Sequence, residues 1–242
     1  MKKFIALALA ALMLLSLAAC GDNTPSTTPA PAQTTAAPAQ TTAAPAQTTA
    51  APAATTENPA DPSGSGDSCE WDSKGLPAIT AGCLAGKKVV LTSAGQSSDV
   101  SNVVNGLKKQ KVDYFQNNVI TANELTSDYQ VLILVVGGSS KGLGGAGLDQ
   151  VSETARLTAL MDKAKANGAT IIAMHTGKAD RRGTLSDAFI DLVFPKADYA
   201  IIVVGGDDDN HMHDILAASN AAAAYVEKVS QTASVVASML GK

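Results

Sequence analysis

Apolar residues form short continuous runs in the second half of the chain. The four clearest runs are KKVVLTS at 87–93, VLILVV at 131–136, ATIIAMH at 169–175 and DYAIIVVGG at 198–206. Short runs of β-branched and aliphatic residues are typical of strands that are buried on both faces of a parallel sheet. A weaker strand is predicted at 112–119. An alanine-rich edge strand is predicted at 223–226.

Between these runs, apolar residues recur at helical spacing. One face is marked by Val100, Val103, Val104 and Leu107, at positions i, i+3, i+4 and i+7. Ser97 or Ser98 is a suitable N-cap for this helix, with Asp99 in its first turn. Asp149 is a suitable cap for a second helix that ends before Gly168. Further helices are predicted at 185–194, 212–218 and 229–240.

Strands that alternate with helices predict an α/β fold, a three-layer doubly wound sandwich with a mainly parallel sheet. The expected strand order is the flavodoxin-like 2-1-3-4-5, with a sixth strand at one edge. Such sheets bind ligands at the carboxyl ends of their strands, where the strand order reverses. Here that position brings SAGQSSD, after the first strand, beside GGSSKGLGGAG, after the third.

The glycine-rich stretch contains a match to G-x-G-x-x-G at Gly142, Gly144 and Gly147. In a dinucleotide site this motif follows the first strand tightly, and the next strand ends near an acidic residue that binds the ribose. Here the glycines begin several residues after the third strand, and the next strand ends in His175. The phosphate-binding P-loop pattern is also absent, because Lys141 precedes the glycines. We therefore predict no cofactor.

Two interpretations of this stretch remain. Its backbone N–H groups, with Ser139, Ser140 and Lys141, could form an anion-binding nest. Alternatively, the stretch is a flexible connector without a ligand. The segment MHTGKADRRGTLSD favours an anion, since His175 ends the fourth strand and Arg181 and Arg182 follow it. The alternatives are a structural histidine and arginines that are either solvated or engaged in salt bridges.

The sequence therefore predicts a site for a small anionic ligand at this edge of the sheet. Its expected members are Gly95, Ser97, Ser98, Gly137, Gly138, Ser139, Ser140, Lys141, His175, Arg181 and Arg182.

A second polar segment, GGDDDNHMHD, follows the fifth strand. His211 and His213 have side chains suited to a divalent metal, but on a helix the i, i+2 spacing directs them apart. The acidic residues also suit a helix N-terminus, where the helix dipole stabilises them. No metal site is predicted.

The start of the chain has the pattern of a lipoprotein signal peptide. Lys2 and Lys3 precede an apolar run, and Leu-Ala-Ala stands before Cys20. We expect residues 1–19 to be removed and Cys20 to be lipidated, which would anchor the protein to the outer face of a cell membrane. The alternative is an ordinary secretory signal with a chance cysteine.

Residues 20–68 contain a seven-residue repeat of Ala-Pro-Ala-Gln-Thr-Thr-Ala. Each unit has a proline and no large apolar residue, so the segment is predicted to be a disordered spacer. Residues 69–242 suffice for one domain. The net charge of −4 gives no reason to expect nucleic acid. Outside the cytoplasm, Cys69 and Cys83 are expected to form a disulfide, whereas a metal site is the weaker alternative.

Three segments carry a resemblance to a known family. VVGGSSKGLGGAG, MHTGKADRRGTLSD and ADYAIIVVGG together resemble a bacterial family of secreted α/β domains of unknown function. The resemblance covers approximately residues 86–228. It implies the α/β domain and supplies no catalytic residues.

The expected function is that of an extracytoplasmic lipoprotein whose domain binds a small anionic ligand. One alternative is a hydrolase that uses His175 as general base, which would need a nucleophile within hydrogen-bond reach of the imidazole. Another is a surface module that binds a protein of unspecified identity through an exposed apolar patch. No catalytic set is predicted, because no catalytic machinery stands out in the sequence.

Overall fold

The computed structural model describes residues 71–242. Four predictions fall outside this range: the signal peptide at 1–19, lipidation of Cys20, the spacer at 20–68 and the position of Cys69. Within it, no helix is both long enough and apolar enough to cross a membrane.

The described residues form a six-stranded parallel sheet with the order β2-β1-β3-β4-β5-β6. The strands are β1 Val89–Ala94, β2 Tyr114–Gln116, β3 Val131–Val136, β4 Thr170–His175, β5 Tyr199–Val203 and β6 Ala222–Val226. The doubly wound α/β class is confirmed, and the strand order is the predicted one with the sixth strand at the edge. The sheet is entirely parallel rather than mainly so.

Helices cover both faces of the sheet. They are α1 Asp99–Lys109, α2 Ser140–Gly145, α3 Gln150–Ala166, α4 Thr184–Val193, α5 His211–Ser219 and α6 Val229–Met239, with short 3₁₀ helices at Ala179–Arg181 and Phe194–Lys196. α1 and α6 pack on one face, and α3, α4 and α5 pack on the other. The central strands are buried on both faces: Leu134 belongs to the α3 side and Ile133 to the α1 side. This explains why their sequences are apolar runs rather than alternating patterns.

Local signals place the ends of α3 correctly. The Asp149 carboxylate accepts a hydrogen bond from the backbone N–H of Ser152 at 2.7 Å, and the Ser152 hydroxyl accepts one from the Asp149 N–H at 2.9 Å. Gly168, just after the helix, has a φ of +70°. Glycine adopts this left-handed conformation at little cost, so it ends the helix.

Two elements differ from the sequence prediction. The second strand is only Tyr114–Gln116, and its register with β1 covers just Val89–Leu91. The glycine stretch after β3 contains a short helix, α2, instead of an open loop. The Ser139 hydroxyl caps this helix by accepting the Gly142 N–H at 3.0 Å.

The two edges of the sheet differ in how they are protected. The segment that leads into the domain covers β6, where Tyr225 N–H donates to Asp72 O at 2.7 Å and Ala223 N–H donates to Pro77 O at 2.9 Å. The opposite edge is β2, whose Phe115 side chain remains 46% exposed. A very short edge strand limits pairing with other chains.

Candidate functional site

The loops after β1 and β3 meet at the point where the strand order reverses. The Gly137 N–H donates to Ala94 O, and the Ser139 N–H donates to Gly95 O, each at 2.9 Å. The two polar segments that we expected to be neighbours are therefore in contact. This is the position at which doubly wound sheets bind ligands.

The same contacts occupy most of the predicted anion-binding N–H groups. Besides Gly137 and Ser139, the Gly138 N–H donates to the Ser186 hydroxyl at 3.0 Å. Ser140 and Lys141 lie exposed in the first turn of α2, and the Lys141 ammonium has no hydrogen bond or ion pair within residues 71–242. The N–H groups of Gly137, Gly138 and Ser139 are therefore already used within the fold.

Asp99, which we expected only as a first-turn acid, is buried at this edge. The Ser97 hydroxyl donates to Asp99 Oδ2 at 2.7 Å, and the Asp99 N–H donates to Ser97 Oγ at 3.1 Å. A Cβ atom on Gly137 would lie 3.1 Å from Ser97 Cβ and 3.5 Å from Asp99 Oδ2. The glycine therefore leaves room for this pair above the end of β3. Ser98, between them, is exposed.

His175 lies fully buried at the end of β4. Its Nδ1 is 3.1 Å from Val136 O. Because a carbonyl only accepts, Nδ1 carries the proton and Nε2 is left as an acceptor. Nε2 is buried without a hydrogen-bond partner. Burial lowers the pKa of His175, and the charge of Arg182 lowers it further, whereas the Val136 hydrogen bond and the charge of Asp99 oppose these effects.

Two glycines allow the neighbouring loops to approach the imidazole. A Cβ atom on Gly177 would lie 3.3 Å from His175 Nε2 and 2.7 Å from Arg181 Cγ. A Cβ atom on Gly206 would lie 2.9 Å from His175 Cδ2. The segment 177–181 therefore covers Nε2, with the stem of Arg181 next to Gly177.

The two arginines have different surroundings. Arg182 is held within the protein: its Nε donates to Asp187 at 2.6 Å, and its Nη1 donates to Gly206 O at 2.9 Å and to Asp209 at 3.0 Å. Only 13% of its side chain is exposed. Arg181 is 51% exposed, and its Nη2 lies 3.9 Å from Asp99 Oδ1. Arg181 is therefore the arginine whose guanidinium group is free to contact a ligand.

A small cavity of about 220 Å³ adjoins Arg182. Asp187, Asp208 and Asp209 are among its lining residues. Three carboxylates around one paired guanidinium disfavour an anion there. We call the group formed by Ser97, Asp99, Gly137, His175 and Arg181 the carboxyl-edge crevice.

The acidic, histidine-containing segment after β5 has a structural role. Asp207 is buried and accepts hydrogen bonds from the N–H groups of Met212 at 2.8 Å and His213 at 3.0 Å, and from the Tyr225 hydroxyl at 2.8 Å. It thereby caps α5, as the alternative interpretation of this segment expected. His211 Nε2 contacts Asp191 instead, at 2.7 Å. Within residues 71–242 no group of three or more metal-ligating side chains is assembled.

A buried ion pair lies below the crevice and was not predicted from the sequence. Glu153 is fully buried and accepts a hydrogen bond from the Gly95 N–H at 2.9 Å. Arg156 donates to Glu153 at 2.7 Å, to Ser93 O at 2.7 Å and to Ile120 O at 2.8 Å. The i, i+3 spacing of Glu153 and Arg156 in a predicted helix is the one feature of the sequence that indicates an ion pair between them. Their burial depends on the fold.

Cys83 is partly exposed and has no disulfide partner in the described part of the chain. Its expected partner, Cys69, lies outside that part, so the disulfide stays a prediction.

A family described as a domain of unknown function (DUF6305) matches residues 86–240, and the chain belongs to that family. The resemblance noted from the three sequence segments is thereby confirmed. No curated protein matches the chain.

Several solved structures share a distant likeness to the fold. O-acetylhomoserine sulfhydrylase of Wolinella succinogenes is 16% identical over 43% of this chain, which spans only 27% of that protein, with a TM-score of 0.26. A GDSL-like lipase of Bacteroides thetaiotaomicron is 8% identical over 57% of this chain and 67% of its own, with a TM-score of 0.30. The esterase EstA of a Pseudoalteromonas species is 12% identical over 58% and 77%, with a TM-score of 0.27. No activity transfers to this chain at such scores.

Proposed function

We propose that this member of the family is an extracytoplasmic lipoprotein whose α/β domain binds a small anionic ligand in the carboxyl-edge crevice. The observation that carries the proposal is the unpartnered Nε2 of His175, a buried acceptor at the ligand-binding edge of the sheet. Buried polar atoms without partners are rare in folded proteins. A ligand that donates a hydrogen bond to Nε2 would satisfy this atom.

The charges of the crevice define the ligand further. Arg181 offers an exposed guanidinium group, which suits a carboxylate or phosphate. Asp99 offers a buried carboxylate that suits a hydroxyl or amino group. Among residues 71–242, the ion pair of its Oδ1 is the long one with Arg181, at 3.9 Å. The ligand class is therefore a small anion that also carries a hydrogen-bond donor, such as a hydroxycarboxylate or an amino acid.

Access to His175 requires a local change. Nε2 lies close to Gly177, and the charged contact between the segment 177–181 and the crevice is the one of 3.9 Å between Arg181 Nη2 and Asp99 Oδ1. An anion that binds the Arg181 guanidinium would compete with Asp99 for it. Release of this weak contact would let the segment move and expose Nε2.

A hydrolase with His175 as general base is less well supported. The lowered pKa keeps the imidazole neutral, as a base requires, but no described side chain donates a hydrogen bond to Nε2. The Ser97 hydroxyl, which belongs to the crevice, donates to Asp99 instead. A nucleophile and its base should be within hydrogen-bond reach of each other.

The ligand proposal is tested by thermal unfolding with inorganic phosphate, simple carboxylates, hydroxycarboxylates and amino acids. A ligand at 100 times its Kd stabilises the protein by about 2.7 kcal/mol. We expect the shift in Tm to be lost in Arg181→Gln and reduced in Asp99→Asn. Lys178→Gln removes an exposed lysine from the same segment and is the matched control. Lys141→Ala reports whether α2 contributes a second cation.

Two results would count against the proposal. One is the absence of a shift with every compound. The other is a shift that Arg181→Gln and Lys178→Gln reduce equally, because that would indicate general charge attraction.

The anchoring part of the proposal rests on the sequence before the domain. It is tested by fractionating cells that express the full chain with and without Cys20→Ser. We expect the wild-type protein in the membrane fraction, and the variant in the soluble fraction without incorporated fatty acid. An unlipidated wild-type protein would point to an ordinary secretory signal.

A further inference from the structure

A second candidate binding site lies at the amino end of the sheet, opposite the carboxyl-edge crevice. It is a pocket of about 440 Å³, within the range of about 300–1,000 Å³ that is typical of small-molecule sites. Its walls come from the starts of β1 and β2, from the turn before β3 and from the C-terminal residues. They are Gly86, Lys87, Lys88, Val89, Asp113, Tyr114, Phe115, Tyr129, Leu240 and Lys242. We call it the amino-edge pocket.

Aromatic side chains are concentrated in this pocket. The whole chain has only one tryptophan, four tyrosines and four phenylalanines, and Tyr114, Phe115 and Tyr129 all line it. The rings of Phe115 and Tyr129 are stacked, with centroids 5.7 Å apart and planes inclined by 26°. Phe115 stays 46% exposed, so part of this stack is accessible from solvent. Flat apolar groups pack well on aromatic rings.

The backbone on which these groups stand is held in place. The Tyr114 hydroxyl donates to Val104 O at 3.3 Å, which holds its ring against α1. The N–H groups of Gln130 and Val131 both donate to Lys88 O, at 3.0 and 3.1 Å. The start of β1 is thus joined to the turn that carries Tyr129. Hydrogen bonds therefore fix the relative positions of three of the segments that line the pocket.

The charge of the pocket is positive although the protein is acidic, with a net charge of −4. The Lys242 ammonium lies 3.1 Å from the Asp113 carboxylate, so these two side-chain charges cancel. Lys87 and Lys88 have no ion pair among the described residues. The pocket lining therefore includes two lysines that no carboxylate of the described residues neutralises.

We propose that the amino-edge pocket binds a planar aromatic anion, whose ring packs on Phe115 and whose carboxylate, sulfonate or phosphate group contacts Lys87 and Lys88. The combination of an apolar wall with a few charged groups is what orients a ligand in a protein site. This site is independent of the carboxyl-edge crevice, because the two lie at opposite ends of the parallel strands.

The probe for the test is anilinonaphthalene sulfonate, a fluorescent planar aromatic anion, added to the full chain. Its neutral relative, phenylnaphthylamine, has similar rings without the sulfonate. We expect saturable binding of one sulfonate probe per chain, and Phe115→Ser should weaken it by about tenfold or more. The double variant Lys87→Gln, Lys88→Gln should weaken the sulfonate by about fivefold and leave the neutral probe unchanged.

Three controls test whether the probe binds at this pocket. Val151→Ser removes the most exposed valine, at 77%, on another surface and should leave binding unchanged. Arg181→Gln tests the carboxyl-edge crevice and should also have no effect. Circular dichroism checks that Phe115→Ser is folded, and the lysine variant tests the proposal even if it is not.

The proposal is overturned if the sulfonate does not saturate, or if neither Phe115→Ser nor the lysine variant weakens it. It is also overturned if the chain forms a concentration-dependent dimer that Phe115→Ser abolishes, because a second copy would then be the occupant of the pocket.

Discussion

The imidazole of His175, at the end of β4, is tied to the carbonyl of Val136, at the end of the adjacent strand β3, by a contact of 3.1 Å. The two residues are 39 positions apart in the chain. This contact determines the tautomer of the buried ring and turns Nε2 toward the segment 177–181. The chemistry of the crevice depends on it, because Nε2 is the atom that remains without a partner.

The buried histidine should make stability dependent on pH. The pKa of His175 is lowered in the folded state, mainly by burial, whereas in the unfolded chain it is about 6.5. The contribution of the neutral His175 side chain to the free energy of unfolding is fully present above about pH 6.5. As the pH falls below that value, the unfolded chain takes up a proton that the folded protein accepts only at lower pH, so stability declines, by at most about 1.4 kcal/mol per pH unit.

This dependence is measured by urea unfolding of the wild type and His175→Gln between about pH 7.5 and 5. The variant should show a flatter curve than the wild type, and His213→Gln is the control for the loss of a histidine elsewhere in the fold. Parallel curves for all three proteins would show that His175 does not titrate differently in the two states.

The glycines after β3 should differ in their tolerance of alanine. A Cβ atom on Gly142 would collide with the carbonyl oxygen of Gln96, whereas one on Gly144 would meet nothing within 4 Å. We expect Gly142→Ala to lose about 1–3 kcal/mol of unfolding free energy. Gly144→Ala should be neutral or should gain up to about 1 kcal/mol, because alanine reduces the entropy of the unfolded chain. Equal effects in urea unfolding would argue against the packing of α2 on Gln96.

Substitutions at the two adjacent arginines should differ in their effect on the free energy of unfolding. Arg182→Ala leaves Asp187, Asp209 and Gly206 O without their guanidinium donor, and we expect a loss of about 1–3 kcal/mol. Arg181→Ala should change stability by less than about 0.5 kcal/mol, because its side chain is half exposed. Thermal and urea unfolding measure both effects. A larger loss in Arg181→Ala than in Arg182→Ala would contradict the assignment of their roles.

Removal of one partner of the buried Glu153–Arg156 pair should be costly. Glu153→Gln leaves the Arg156 guanidinium, whose side chain is 7% exposed, without a counter-charge. We expect a loss of about 3–5 kcal/mol. The double variant Glu153→Leu, Arg156→Met should lose less than Glu153→Gln alone, because neither charge is then buried unpaired. A double variant that is less stable than Glu153→Gln would indicate that the pair contributes net stability.

The expected disulfide between Cys69 and Cys83 should be detectable chemically. Thiol titration of the denatured, unreduced domain should find neither cysteine reactive. Reduction should lower the unfolding free energy by about 3 kcal/mol, the value for a loop of about 15 residues in the chain-entropy model. Cys83→Ser without reductant is the matched comparison. A reactive Cys83 thiol in the oxidised protein would show that the bond does not form.

Much of the fold could be predicted because its signals are local. The apolar run at Val131–Val136 and the helical spacing of Val100 and Leu107 each report burial directly, and both elements form as predicted. Asp149 and Gly168 end α3 through contacts within a few residues. The predicted second strand, 112–119, is longer than the observed Tyr114–Gln116. An edge strand has little apolar signal in its sequence, and its length depends on pairing with β1.

The sequence by itself determined the α/β class, the strand order and the edge of the sheet at which polar residues collect. These follow from periodicity and from the rules of parallel sheets, which need no knowledge of individual contacts. Only the tertiary structure decided that Arg181 rather than Arg182 is free, that Asp99 is buried and that His175 Nε2 lacks a partner. Each depends on groups far apart in the chain, such as Arg182 and Asp209, and spacing along the sequence does not encode such distances.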